Sequence, residues 1–213
     1  MTAPPEAAIR RACETLSGLD PALARAYEAI GVPEWRANEA TYALLARTVV
    51  YQLVSTRAAD VIWGRVQAFL GDVTPERVLT CDQDQLRACG LSGPKLSHMN
   101  TIAAAIRDGA LDLARISAAD VDAARAELLA VKGIGPWTAD LFLLYAAGKM
   151  DAFPHGDVGL MEAHKRLGGY DIRMTNKDFS AHAETWRPNR GVAAHLLWGW
   201  LNTERAKAGI PPA

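Results

Sequence analysis

Apolar residues recur at spacings of three and four along most of the chain, and alternation with a period of two is rare. Spacings of three and four place apolar side chains on one face of an α-helix, so the pattern predicts helices rather than strands. Start and stop residues divide it into about ten helices with short connections. No repeat with the roughly 20–50-residue period of solenoid proteins is present. The sequence therefore predicts an all-α fold.

Polar residues ahead of the apolar segments predict where several helices begin. Asp20, which is followed by proline, predicts the start of one helix. Asn38 predicts the start of a long helix that extends to Val54 and is apolar on most sides, so we expect it to lie centrally in a core. Ser117 predicts the start of a helix that leads into a glycine-containing turn.

Residues 128–139 have the pattern of one helix end, a Gly-Ile-Gly turn and the start of a second helix. Gly133 and Gly135 flank Ile134, and glycines at this spacing permit a tight turn with positive φ. Pro136 suits the first position of the next helix. The N–H groups at that helix start, together with the helix dipole, would attract an anion such as a phosphate. The same glycines also suit an ordinary helix–helix turn, so the motif alone leaves both interpretations open.

Composition narrows the class of protein. Half of the 213 residues are hydrophobic, which allows a sizeable core. No apolar stretch approaches the roughly 20 residues that span a bilayer, and the chain start lacks a hydrophobic signal core, so we expect no membrane association and a cytoplasmic location. Cys13, Cys81 and Cys89 are scattered without a CxxC motif or a Cys/His cluster, which argues against a zinc site, a disulfide framework or an iron–sulfur cluster.

The formal net charge is −1, which argues against a protein that coats nucleic acid through its overall charge. DNA binding through a local basic surface and helix N-termini remains compatible with this balance. Charge alone therefore does not decide whether nucleic acid is a partner.

Several short motifs occur together in one order between about residues 38 and 200. They are VYQLVS at 50–55, GLS at 90–92 with Lys95, GIGPWTA at 133–139, FPHGD at 153–157, and WRP at 186–188 with Arg190 and Trp198. In this joint pattern the chain resembles the helix-hairpin-helix DNA glycosylase superfamily, and within it the DNA-3-methyladenine glycosylase II branch, which removes alkylated bases.

The resemblance implies an all-α fold with two helical lobes around a DNA-binding cleft and a helix-hairpin-helix motif. Lobe one would comprise about residues 38–148, including the hairpin at 128–139. Lobe two would combine about residues 1–37 with residues 149–213. Together the lobes would form one catalytic unit over residues 1–213.

The resemblance implies that Asp157 is the catalytic residue, although an aspartate ahead of a helix is usually an N-cap. Asp157 follows Trp137 by 20 positions (157 − 137), as the resemblance expects. A carboxylate near the sugar would stabilise the positive charge that develops as the N-glycosidic bond breaks, and could orient the attacking water. An alkylated purine is already a good leaving group, so no second carboxylate is required. Asp151 is interpreted as a solvated loop residue or a cap.

In relatives that also cut the DNA strand, a lysine nucleophile that forms a Schiff base occupies the position of Trp137. Tryptophan at this position implies a monofunctional enzyme that leaves an abasic site. The resemblance further implies that Trp137, Trp198 and Tyr145 line the base pocket, where an aromatic face attracts a cationic base. Packing between helices is the alternative for these rings. His155 either tunes Asp157, contacts DNA, or is an exposed loop histidine.

Base excision requires the target nucleotide to leave the stack, and a wedge must then fill the gap. Leu53 matches the intercalating residue of the family, and Gln52 would contact the neighbouring bases. The alternative for Leu53 is packing in the core, as for most leucines of an apolar helix, but its place at the helix end allows the side chain to protrude. At the hairpin, the resemblance implies that a DNA phosphate is held by the backbone N–H groups of Gly133, Gly135, Trp137 and Thr138. Lys132 would add positive charge beside it. Such contacts position the duplex without reading its sequence. The residues whose backbone carbonyls would bind a monovalent ion are Leu129, Val131 and Ile134.

We therefore expect a monomer that acts on double-stranded DNA containing alkylated bases, in the cytoplasm and in association with the nucleoid. We expect no cofactor except a structural Na⁺ or K⁺ at the hairpin. The alternatives are a non-catalytic helix-hairpin-helix DNA-binding protein and a glycosylase for another lesion class, such as oxidised or mismatched bases. A binder has no need of Asp157 at its spacing, and the absent hairpin lysine and cluster cysteines argue against the second alternative.

Overall fold

The computed structural model describes residues 3–210, and residues 1–2 and 211–213 of the predicted second lobe lie outside the described part. Within this part the all-α prediction is confirmed, because the regular elements are α-helices and one short 3-10 helix. The α-helices, in chain order, are α1 (Glu6–Leu19), α2 (Pro21–Ile30), α3 (Tyr42–Tyr51), α4 (Thr56–Leu70), α5 (Pro75–Thr80), α6 (Gln83–Ala88), α7 (Gly93–Arg107), α8 (Leu113–Ala118), α9 (Val121–Leu129), α10 (Pro136–Tyr145), α11 (Val158–Gly168), α12 (Asn176–Ala183) and α13 (Arg190–Lys207).

The 3-10 helix, Glu184–Trp186, lies between α12 and α13. Among the described residues, none of the helices has both the length and the apolar character that a membrane span requires.

Hydrogen bonds from capping side chains account for most helix starts. Two of the predicted helix starts, Asn38 and Ser117, are wrong. Asp20 caps α2 as predicted, because its Oδ1 accepts the Ala22 N–H at 2.7 Å. Asn38 does not cap α3. The helix begins four residues later, where the Thr41 hydroxyl accepts the Leu44 N–H at 3.3 Å.

Ser117 is also wrong as a helix start, because it lies within α8, a short helix that the sequence pattern did not reveal. Its hydroxyl donates to the Leu113 carbonyl at 2.8 Å, the bond that a serine inside a helix makes to the preceding turn. Asp120 caps α9 instead, with its Oδ1 accepting the Asp122 and Ala123 N–H groups at 3.1 and 2.9 Å. A six-residue helix is too short for apolar periodicity to show.

The chain divides into two compact units. The first unit is Asn38–Ala147 and contains α3 to α10. Helix α3 packs against α4, α7 and α10, and its Leu45, Val49 and Val50 are fully buried. Tyr42 donates from its hydroxyl to the Met99 carbonyl at 3.0 Å, which joins α3 to α7. The long apolar helix predicted after Asn38 thus forms the centre of this unit.

The second unit combines residues 3–37 with residues 148–210, and contains α1, α2, α11, α12, the 3-10 helix and α13. Helix α13 packs against α1, α2 and α11. Its residues 191–197 are all buried, so it is the central helix of the unit. Chain segments separated by more than a hundred residues therefore share one core.

His195 lies inside this core. Its ring stacks on Trp35 with the centroids 4.2 Å apart, and its Nδ1 lies 2.8 Å from the Gly191 carbonyl oxygen. A carbonyl can only accept, so Nδ1 carries the proton and donates. Burial lowers the pKa of His195 to about 4, because the charged imidazolium loses its hydration.

We predict that His195 makes the protein less stable as the pH falls from about 6.5 to about 4. In this range the unfolded chain takes up a proton at His195 and the folded chain does not, so acid favours unfolding. Between pH 7 and 5, the wild type should lose about 2 kcal/mol more unfolding free energy than His195→Gln, measured by urea denaturation. Parallel pH profiles for the two proteins would contradict this prediction.

Candidate active site

The carboxylate of Asp157 lies at the N-terminus of α11, in the second unit. Its Oδ1 accepts two hydrogen bonds, from the Leu160 N–H at 2.9 Å and from the indole Nε1–H of Trp198 at 3.2 Å. The first bond caps α11, as an aspartate ahead of a helix commonly does. The second bond joins the carboxylate to α13. Asp157 is half-buried, so its negative charge lies close to low-dielectric protein and is still accessible.

Gly159 leaves the space in which this carboxylate and the indole meet. A Cβ atom there would lie 3.0 Å from Asp157 Oδ1, 3.4 Å from Leu201 Cδ2 and 3.8 Å from Trp198 Nε1. A larger residue would therefore press on the catalytic candidate directly. The sequence predicted Asp157 and Trp198 separately, and the structure brings them together across 41 positions.

The loop ahead of Asp157 is anchored by an ion pair that the sequence did not reveal. Asp151 was interpreted as a solvated loop residue or a cap. The solvated interpretation is wrong, because the side chain is 13% exposed and pairs with Arg190. The cap interpretation agrees with the structure, because Asp151 Oδ1 accepts the backbone N–H of Arg190, the first residue of α13, at 3.3 Å. The Arg190 Nε and NH2 groups donate to the two carboxylate oxygens at 3.1 and 2.9 Å. Arg187 donates from NH1 to Asp151 Oδ2 at 2.8 Å as well. This fork-to-fork pairing holds the start of the loop against the beginning of α13.

Aromatic packing holds the middle of the same loop. Phe153 is buried, with its ring centroid 5.6 Å from those of Phe179 and Trp186. His155 follows on the surface side, half-buried, with its ring edge-to-face against Phe153 at 5.5 Å. The Asp157 N–H donates to the Pro154 carbonyl at 3.0 Å, which closes the turn before α11. These contacts fix the position of the loop that leads into Asp157.

The glycine turn of the hairpin lies in the first unit, between α9 and α10. Gly133 has φ 102°, and a Cβ atom there would lie 2.7 Å from the Cβ of His98 on α7. Both the backbone and the close approach of α7 therefore require glycine. Gly135 differs from the prediction: it has φ −85° and acts as the N-cap residue of α10. Only the first glycine of the pair supplies the left-handed turn.

Helix α10 begins at Pro136, and its N-cap residue, Gly135, has no side chain that could cap the N-terminus. This arrangement contrasts with α2, α3 and α11, whose first N–H groups are bonded by their own capping side chains. Lys132 is exposed beside the turn, and Thr138 is buried in the first turn of the helix. The backbone dipole and the nearby ammonium group thus favour an anion at this end.

The three carbonyl residues predicted for ion binding lie around the same turn. Leu129 is the last residue of α9, Val131 comes two positions later, and Ile134 lies between the two glycines. The Val131 carbonyl accepts the Ile134 N–H at 3.1 Å, which tightens the turn. The structure thus groups these residues at the hairpin, and their ion binding stays a prediction.

A salt bridge joins the two helices of the hairpin. Asp140 on α10 is 2% exposed, and Arg125 on α9 donates from Nε to its Oδ1 at 2.7 Å. If the two helices moved apart, the buried Asp140 carboxylate would be left without its partner, which is unfavourable. The pair therefore couples the positions of α9 and α10. Trp137 and Tyr145 lie at the two ends of α10, and both rings are half-buried. Their placement in a base pocket stays a prediction.

The turn after α3 exposes Leu53 completely, with a relative accessibility of 104%, and gives it φ 56°. A left-handed backbone is unfavourable for leucine, so the surrounding contacts must hold the turn. Gln52 donates from Nε2 to the Thr138 hydroxyl on α10 at 2.8 Å. Lys95 on α7 donates from Nζ to the Val50 carbonyl at 2.8 Å, at the C-terminal end of α3. The structure thus brings together Gln52, Leu53 and Thr138.

The chain is similar to known DNA repair proteins. The model of the HhH-GPD superfamily of base excision DNA repair proteins matches residues 46–188. The chain is 34% identical over 174 residues to a probable bifunctional transcriptional activator/DNA repair enzyme of Mycobacterium tuberculosis. That match covers 77% of this chain and 34% of the relative, so the chain spans about a third of that protein's length.

Two further matches cover most of this chain and most of the protein that it matches. The chain is 28% identical over 195 residues to DNA-3-methyladenine glycosylase 1 of Schizosaccharomyces pombe, which covers 86% of this chain and 83% of the relative. It also resembles the structure of a 3-methyladenine DNA glycosylase of Schizosaccharomyces pombe in complex with abasic DNA. The TM-score is 0.80, with 27% identity, 91% of this chain covered and 97% of that chain.

These matches confirm the resemblance that the sequence motifs indicated. The family match extends from within α3 to Pro188, and so includes the glycine hairpin, Leu53 and Asp157. The chain belongs to the HhH-GPD superfamily of base excision DNA repair proteins.

Proposed function

We propose that the protein is a monofunctional DNA glycosylase that flips alkylated bases of the 3-methyladenine type out of duplex DNA and hydrolyses their N-glycosidic bond. One observation carries the proposal: Asp157 presents a half-buried carboxylate, held by the Trp198 indole, on a rigid helix terminus of a base excision repair fold. Relatives named as 3-methyladenine glycosylases support this substrate class. The product is an abasic site.

The chemistry follows from the charge that develops on the sugar. The bond between C1′ and the base nitrogen breaks, and its electron pair leaves with the base. The positive charge on the deoxyribose is stabilised by the carboxylate of Asp157. A water oxygen then bonds to C1′, and its proton passes to the carboxylate or to solvent. An alkylated base that is already cationic leaves as a neutral molecule, so Asp157 is the one carboxylate that the reaction requires.

The aromatic residues separate this enzyme from strand-cutting relatives. Trp198 donates to Asp157 and is half-buried, so its ring lies beside the reacting carboxylate and offers a face to a cationic base. Trp137 has no amine and cannot form a Schiff base. Roles for Trp137 and Tyr145 in binding the base are proposed on the family resemblance alone.

DNA is held through two features of the first unit. Leu53 is the wedge, because an exposed apolar side chain on a constrained turn can enter the stack without rearrangement. Gln52 contacts the bases beside it. The hairpin binds a phosphate through Lys132 and the N–H groups of Gly133, Gly135 and Thr138. The carbonyls of Leu129, Val131 and Ile134 hold a structural Na⁺ or K⁺ that bridges to this phosphate.

The remaining proposals concern the cellular context. The protein acts as a monomer on double-stranded DNA, and it works in the cytoplasm in association with the nucleoid. The protein acts as one catalytic unit of two lobes. The lobes comprise residues 38–148 and residues 1–37 with 149–213. These proposals rest on the sequence and on the family.

We predict that Asp157→Asn abolishes base release and retains DNA binding. Asparagine is also a good N-cap, so α11 keeps its start, and only the negative charge is removed. Single-turnover excision from duplexes with one defined alkylated base should fall by at least about 100-fold, measured by alkali cleavage at the abasic site. Affinity for the same duplex should change little.

The matched control is Asp171→Asn, which removes an exposed carboxylate from the same unit. Its excision rate should equal that of the wild type. If Asp157→Asn excises at the wild-type rate, Asp157 is not the catalytic residue. If the wild type releases no base from any alkylated duplex, the protein is not this glycosylase.

We predict that Leu53→Ala lowers excision without lowering stability. The side chain is solvent-exposed in the free protein, so its loss leaves the core intact. Without the wedge the base returns to the stack, and single-turnover excision should fall about tenfold or more. Val61→Ala, an exposed apolar residue on α4, is the control and should keep wild-type excision. Equal excision by Leu53→Ala and Val61→Ala would rule out the wedge.

We predict that borohydride traps no covalent complex between the protein and damaged DNA. A trapped complex requires a Schiff base from a lysine amine, and tryptophan stands at the hairpin position. Gel analysis after reduction should show free protein, and the DNA strand should stay uncut until alkali is added. Efficient trapping would show that the enzyme is bifunctional.

A further inference from the structure

A buried cluster of one carboxylate and two imidazoles lies in the second unit. Asp20 Oδ2 is 3.0 Å from His164 Nε2 and 2.8 Å from His182 Nε2. All three ligand atoms lie within 4.8 Å of one another. The side chains of Asp20 and His164 are 2% and 1% exposed, and that of His182 is 33% exposed. Three potential metal ligands therefore converge on one point that solvent can approach from one side.

The three ligands come from separate elements, and their neighbours fix their orientation. Asp20 joins α1 to α2, His164 lies on α11, and His182 lies on α12. The His164 ring packs 5.6 Å from the Trp186 ring, and the His182 ring packs edge-to-face against it at 5.2 Å. Packed rings cannot turn their nitrogen atoms away, so the donors are already arranged for a common target.

The carboxylate is oriented by two further donors. The Ala22 N–H donates to Oδ1 at 2.7 Å, and the Trp186 indole Nε1–H donates to Oδ2 at 3.2 Å. Hydrogen bonds of this kind, which hold a ligand from behind, accompany metal-binding carboxylates and raise the affinity of their sites.

We propose that Asp20, His164 and His182 form a binding site for a divalent transition-metal ion of the zinc class. Two imidazole nitrogens and one carboxylate oxygen are ligands that such ions accept, and a water molecule can complete four-coordination. Calcium and magnesium prefer oxygen-rich sites, so the two imidazoles disfavour them. The exposed edge of His182 provides the route of entry.

Zinc binding would require only a small movement of the three side chains. Tetrahedral ligands at roughly 2.0–2.2 Å from zinc lie about 3.3–3.5 Å from one another. Asp20 Oδ2 now stands 3.0 Å from His164 Nε2 and 2.8 Å from His182 Nε2, so each imidazole moves away from the carboxylate oxygen by about 0.5 Å. Both Nε2 atoms now donate a hydrogen bond to Asp20. When the metal binds, each Nε2 proton is released to solvent and each Nδ1 takes up one proton, so both imidazoles remain neutral ligands.

A bound metal would clamp three segments of the second unit. It would join the α1–α2 junction to α11 and α12, and α11 is the helix that begins beside Asp157. We therefore assign the ion a structural role, separate from the hydrolysis chemistry. The binding test uses no DNA, so its result does not depend on the proposed glycosylase activity.

The experiment is a titration of the full chain, first stripped with a chelator, with ZnCl₂ in a calorimeter and with CoCl₂ in a spectrophotometer. We expect one ion per chain, the visible absorbance of four-coordinate cobalt, and a Tm raised by about 5 °C at saturating zinc. Binding weaker than about 1 mM, or no cobalt absorbance, would overturn the proposal.

His182→Ala is the principal variant, because this side chain is partly exposed and its loss should leave the fold intact. Zinc affinity should fall at least about tenfold, and the cobalt spectrum should disappear. Asp20→Asn, which keeps the shape of the side chain, should have the same effect, and if it does not fold His182→Ala decides alone. His98→Gln in the first unit is the control and should bind zinc as the wild type does. Unchanged affinity in His182→Ala, or an equal loss in His98→Gln, would overturn the proposal.

Discussion

The two hydrogen bonds that Asp157 Oδ1 accepts decide where the candidate catalytic charge lies. One comes from the N-terminal turn of α11 and the other from the Trp198 indole on α13. The same oxygen therefore caps α11 at the end of the loop and joins α11 to α13. Because both bonds are made by a carboxylate that must also meet a developing positive charge, the orientation of the group is established before any substrate binds.

The rest of the second unit supports that orientation from both directions along the chain. Ahead of Asp157, the pairing of Asp151 with Arg190 and the burial of Phe153 immobilise the loop. Behind it, His164 on α11 is bound to Asp20 at the junction of α1 and α2. Each buried carboxylate has its own donors, which offsets the loss of hydration that burial imposes. The position of the half-buried Asp157 carboxylate is thus supported by the pairings of two other carboxylates, Asp151 and Asp20.

In the first unit, α10 connects the features that we propose contact DNA. Its N-terminus belongs to the glycine hairpin, and Thr138 in its first turn binds Gln52 beside the exposed Leu53. Asp140, on the same helix, pairs with Arg125 of α9. A shift of α10 would move the proposed phosphate site and the proposed wedge together. Sharing one rigid helix keeps their spacing constant, which is a condition for holding a duplex while a base is extruded.

The local features of this protein could be predicted from its amino-acid sequence. Helices, the cap at Asp20, the glycine turn and Asp157 at a helix start all depend on residues within about four positions of one another, so periodicity and residue type suffice. Prediction failed where local signals compete, as at Ser117, whose hydroxyl bonds the preceding turn instead of capping a helix. The long-range pairs appear only in the folded chain. Trp198 donates to Asp157, and Arg190 binds Asp151. His164 and His182 contact Asp20, which lies 144 and 162 positions away from them in the sequence. Such pairings are set by how helices pack, and no spacing along the chain encodes them.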